Sequence, residues 1–117
     1  MEPDFIKFHA LTAKRATAYE LALDLVTAVH ELVDEAPIRI GVKDQLDKSA
    51  TGIAMMLAHV LEDVPSRRWR TYRAALHLAQ TCETCLDIAC RQNVDVDGAK
   101  QACQALRAEL HPLAHGH

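Results

Sequence analysis

Apolar residues recur every three or four positions through most of the chain, the period of helices that bury one face. The first stripe, in a helix running from Asp4 or Leu11 to Val33, is Ala18, Leu21, Ala22, Leu25, Val29, Leu32 and Val33. It stops ahead of Ala36-Pro37, because the residue before a proline is pushed out of the α region. Ala36 to Gly41 reads as a connector, in which Ile38-Arg39-Ile40 is too short to build a sheet. Leu46, Ala50, Ile53, Leu57, Val60 and Leu61 mark a second helix from Val42 to Leu61, broken at Pro65. Ser66 is the predicted N-cap of a third helix, Arg67 to Gln92, since its hydroxyl can accept from a free backbone N–H. Its inward positions are Tyr72, Ala75, Leu76, Ala79, Cys82, Leu86 and Ala89, and Asn93 closes it. Asp95 or Asp97 caps a fourth helix, striped by Val96, Ala99, Cys103, Leu106 and Leu110, which Pro112 ends.

Four such helices on short connectors predict an all-α fold, an antiparallel up-down-up-down four-helix bundle. One domain accounts for 1–112, leaving 113–117 as a mobile tail. Composition agrees: 50% of the 117 residues are hydrophobic, while Gly and Pro number only 4 each. Ala and Leu lose little freedom on entering a helix. Met1-Glu2-Pro3-Asp4 opens acidic with no adequate apolar stretch behind it, so no signal peptide is expected. No apolar run approaches bilayer length. The expected compartment is cytoplasmic, where four cysteines stay reduced.

The third helix carries a second apolar stripe, Ala74, Leu78, Cys85 and Ile88, with Thr81 between. Each of the four lies one residue, about 100°, from a core position. One helix of a monomeric bundle needs one apolar face, so the second predicts burial against another subunit. Met55 and Met56 repeat the pattern more weakly on the second helix.

Candidate chemistry is sparse. Cys82 and Cys85 share a helix face, and Cys103 falls on another apolar stripe. A zinc site needs four converging ligands, and the second close pair is missing, so these thiols read first as small core residues. Soft-metal binding through Cys82, Cys85 and Cys103 is the alternative. His30, His59 and His77 lie on three helices without a Glu-x-x-His pair, so the di-iron bundle signature is absent. There is no glycine-flanked nucleophile and no phosphate-cradling loop. The reading is non-enzymatic, with no cofactor, no metal and no small-molecule substrate.

Arg67, Arg68, Arg70 and Arg73 crowd the start of the third helix, with Trp69 and Tyr72 interleaved. Positive charge there opposes the helix dipole. Arginine beside aromatics suits phosphate contacts and base stacking, which makes the four a candidate nucleic-acid surface. The competing reading pairs them with Glu62 and Asp63 and turns Trp69 inward. The net charge of −3 excludes a wholesale nucleic-acid coat but not a local patch.

Three segments carry a family resemblance. Asp44-Gln45-Leu46-Asp47-Lys48-Ser49-Ala50-Thr51-Gly52-Ile53 resembles the second helix of the four-helix-bundle proteins encoded in 23S rRNA intervening sequences. Their relatives include the accessory variability determinant of diversity-generating retroelements. Ala18-Tyr19-Glu20-Leu21-Ala22 is similar to the family's first helix, and Glu83-Thr84-Cys85-Leu86-Asp87-Ile88-Ala89 to its third. The chain departs from the family's polar pattern at Met56, Ala58-His59-Val60 and His77-Leu78, as a divergent branch would. The resemblance implies the same bundle, assembly into a ring-shaped homopentamer, and a link to RNA and reverse transcriptase in the retroelement relative. Taken together, the expectation is an oligomeric scaffold whose partner is RNA or an RNA–protein complex.

Overall fold

The computed structural model describes the chain from Pro3 to His115, and its side chains from Thr17 onward. Helices α1 (Pro3–Glu35), α2 (Ile40–His59), α3 (Arg68–Arg91) and α4 (Asp97–Ala114) follow one another, with 3-10 turns at Val60–Glu62 and Pro65–Arg67. There is no strand among the described residues. Each helix packs on two others: α1 on α2 and α4, α3 on α2 and α4. This ring of contacts is the antiparallel up-down-up-down bundle. No helix among the described residues is long and apolar enough to cross a membrane.

The inward stripe of α3 is buried at every expected position, from Tyr72 to Ala89. It meets Leu25 and Val29 of α1, Leu46 and Ile53 of α2, and Leu106 and Leu110 of α4 in one core. The eight buried residues of α3 include three alanines, so the helices approach closely and little aromatic bulk is needed to fill the centre.

Several helix boundaries differ from the sequence pattern, each for a local reason. Ser66 does not cap α3: Val64 is extended ahead of Pro65, a 3-10 turn follows, and the helix begins at Arg68 with no side-chain cap. The α1–α2 connector ends two residues early because Ile40 opens α2, its side chain 78% exposed, while Ile38 plugs the core. Asn93 does close α3, in the left-handed region at φ 65. At α4, Val96 stands at the cap position, and the Asp95 carboxylate accepts from the Asp97 N–H at 3.1 Å.

Pro112 does not end α4, and the expected mobile tail at 113–117 is corrected in part. The helix continues to Ala114, which is buried, and Leu113 packs on the core. Proline leaves the carbonyl of Ala108 without a helical donor. Ala108 is exposed, so water can serve that carbonyl while the burial beyond it is kept. Residues 116–117 lie outside the described residues.

Candidate functional site

The antiparallel order sends the ends of the helices to two poles. The C-terminus of α1, the N-terminus of α2 and the α3–α4 connection share one pole, where Ala36, Pro37, Val94 and Asp95 line a common groove of about 440 Å³. Glu31, Glu35 and Asp95 rim it, so the groove is acidic, while Arg39 and Arg91 are exposed elsewhere on this pole. The α2–α3 turn and the end of α4 form the opposite pole, which holds the arginine cluster together with His59, His111 and His115. A net charge of −3 therefore conceals a division along the bundle.

The four arginines do not behave alike. Arg68 turns back onto its own turn, its Nε donating to the Asp63 carbonyl at 3.1 Å and a terminal nitrogen to the Leu61 carbonyl at 3.0 Å. These are carbonyls that the short 3-10 turn leaves open. Arg70 lies with its guanidinium carbon 5.6 Å from the centre of the Trp69 ring, a cation–π arrangement. Arg67, Arg70 and Arg73 are exposed and have no ion-pair partner among the described residues. Glu62 and Asp63 do not neutralise them. The Asp63 carboxylate accepts from the Val64 N–H at 2.8 Å, and Glu62 faces His59 at 3.4 Å. Trp69 is half-buried, leaving part of its ring at the surface. Arg70, Arg73 and His77 follow at helical spacing on the exposed side of α3.

The second apolar stripe of α3 divides. Cys85, expected at a subunit interface, is buried within the chain, and Leu78 and Met56 pack against the core. An added Cβ at Gly52 would lie 3.2 Å from Leu78 Cδ1, which shows how closely α2 covers the middle of that stripe. The physical reason is that α3 has two helical neighbours, so its buried arc is wider than one stripe. The ends of the stripe, Ala74 and Ile88, stay exposed, and Met55 is 64% exposed on α2.

The cysteines are free, with Cys82, Cys85 and Cys103 buried and Cys90 exposed. The Cys103 thiol donates to the Ala79 carbonyl at 3.3 Å across the α3–α4 seam. Burial, then the neighbouring Cys103 and Cys85, push Cys82 from 9.0 to about 12. Burial, aided by Glu83 and opposed by Arg107, brings Cys103 to about 11. Metal ligation needs thiolates, which these surroundings resist. No group of three His, Cys, Asp or Glu side chains among the described residues is arranged to hold a metal ion. His30, His59 and His77 do not meet: His30 bonds Asp47 at 2.9 Å, joining α1 to α2, and His77 is exposed on α3.

Sequence spacing missed two polar links between α3 and α4, Arg107 with Glu83, and Lys100 with Asp87 at 2.8 Å. Pairs so distant in sequence leave no periodic signal. No family model matches the chain, and no curated protein or solved structure matches it either.

Proposed function

We propose that this protein is a non-enzymatic, oligomeric helical scaffold that binds RNA, free or within an RNA–protein complex, through Arg67, Arg70 and Arg73. The observation that carries the reading is the state of those three guanidiniums: exposed, without ion-pair partners among the described residues, and, at Arg70, set over the ring of a half-buried tryptophan. Unpaired positive charge is what a polyanion exchanges for its counterions, and the exposed part of the Trp69 ring offers a base a π-face to stack on. The acidic groove at the opposite pole would repel the same polyanion, so binding is expected at the arginine pole. Arg68 contributes charge but is held by its own turn.

Ala74, Ile88 and Met55 are the proposed contacts between copies, with Leu78, Met56 and Cys85 supporting them from beneath. A ring of five is the assembly that the family resemblance implies. The rival reading, a soft-metal bundle built on Cys82, Cys85 and Cys103, requires deprotonating thiols whose surroundings favour the proton. The test is filter binding of labelled single-stranded RNA to the wild type and to Arg67→Glu/Arg70→Glu/Arg73→Glu. Retained RNA in the wild type and its loss in the variant support the proposal; equal retention sinks it.

A further inference from the structure

We infer that the groove between α3 and α4, directly below the arginine cluster, is a second segment of the nucleic-acid site and takes the sugar–phosphate backbone of single-stranded RNA. The inference rests on the RNA reading above and extends it to residues that no sequence motif marks.

The groove has a volume of about 300 Å³ and is lined by Leu76, Gln80, Gln104, Arg107, Ala108 and His111. Leu76 is buried and serves as its floor. On α3, Arg73, Leu76 and Gln80 follow at intervals of three and four, so they share one side of the helix. Arg73 stands two turns, about 10 Å, above Gln80. On α4, Gln104, Ala108 and His111 repeat that spacing and face them. The groove therefore continues the line of the arginine cluster.

The chemistry of the lining is one-sided. Gln80, Gln104 and His111 are exposed hydrogen-bonding side chains, and Arg107 lies among them with its charge paired to Glu83. The carboxylate nearest to it on α3, Glu83, is engaged by Arg107. No carboxylate lines the groove itself. A phosphate oxygen placed there meets donors and no acidic residue of the lining. A glutamine amide both donates and accepts, so it can serve a phosphate and a ribose 2′-hydroxyl at once. Below Glu83, Asp87 is paired with Lys100 and the exposed Asp95 and Asp97 follow, so the donor lining ends there.

The test compares full-length Gln80→Glu/Gln104→Glu with Lys48→Glu, using a labelled oligouridine. Both changes lower the net charge equally, and Lys48 is exposed on α2 in the acidic half. The glutamines are exposed too, so folding should survive, as circular dichroism would verify. The groove variant should bind about tenfold more weakly than the Lys48 variant, since two carboxylates would repel the backbone locally. Equal affinities would overturn the groove while leaving the arginine site standing. Loss of binding in the groove variant, with the arginine variant unchanged, would keep the groove and refute the arginine site. A wild type that binds no oligouridine would refute both.

Discussion

Arg68 donates to the carbonyl oxygen of Leu61 at 3.0 Å, and this bond closes the α2–α3 turn on itself. With the companion bond to Asp63 it gives Arg68 a different task from its three neighbours. Arg68→Ala should lower stability by about 1 kcal/mol, the low end for bonds to a charged group because the site is partly solvated. Arg67→Ala, Arg70→Ala and Arg73→Ala should each stay within about 0.5 kcal/mol, as exposed substitutions usually do. Urea denaturation of the four variants checks the split, and equal losses would show that the cluster acts as one unit.

Close packing of α2 on α3 makes Gly52 sensitive to size. Alanine there gains helix propensity of about 1 kcal/mol and presses on the end of a flexible leucine, so Gly52→Ala should be nearly neutral. Gly52→Leu should cost about 1–3 kcal/mol by overpacking. Gly98→Ala, with nothing within 4 Å of the added carbon, should be neutral or stabilising. Thermal unfolding of the three variants orders them, and a stable Gly52→Leu would contradict the packing.

The buried thiols make stability fall in alkali. Folding raises the Cys82 and Cys103 values above 9.0, so the native state keeps protons that the unfolded chain releases. Their contribution is complete below about pH 9 and is lost as pH rises from there toward the folded values. Between about pH 8 and pH 10.5 the wild type should lose more Tm than Cys82→Ala/Cys103→Ala. At neutral pH, Cys90 should react with a thiol reagent fast, and Cys82 and Cys103 only on unfolding. Rapid modification of all four would mean that the seam is open.

The proposed interface between copies rests on a small surface. Met55→Asp/Ile88→Asp places a charge on each of two exposed apolar side chains, one on α2 and one at the end of the α3 stripe. Light scattering on a sizing column should show a wild-type mass of several chains, near five on the family resemblance, and a single chain for the variant. A monomeric wild type would remove the oligomer and the main support for the resemblance.

Much of the fold was legible because period and burial coincide. All seven inward positions on α3, from Tyr72 to Ala89, follow from spacing alone, since a helix turns its side chains at a fixed angle. Cys85 and Leu78 were misplaced because a linear pattern cannot tell a helix with one neighbour from a helix with two. Pro112 was misread because local propensity yields to the packing of Leu113 and Ala114 beyond it. Of the candidate site, the arginine cluster is visible in sequence as four residues of one kind. Only the path of the chain through Leu61 and Asp63 separates Arg68 from the others. The groove residues Gln80, Gln104 and His111 leave no motif, because two helices supply them.

The most direct measurement is the salt dependence of single-stranded RNA binding. On a single strand, every phosphate that the protein neutralises contributes about 0.7 to the steepness of log affinity against log salt concentration. The account predicts that the wild type binds with a clear negative slope, and that Arg67→Gln/Arg70→Gln/Arg73→Gln flattens it by about 2. A wild type that binds no RNA at low salt, or a variant with an unchanged slope, would contradict it.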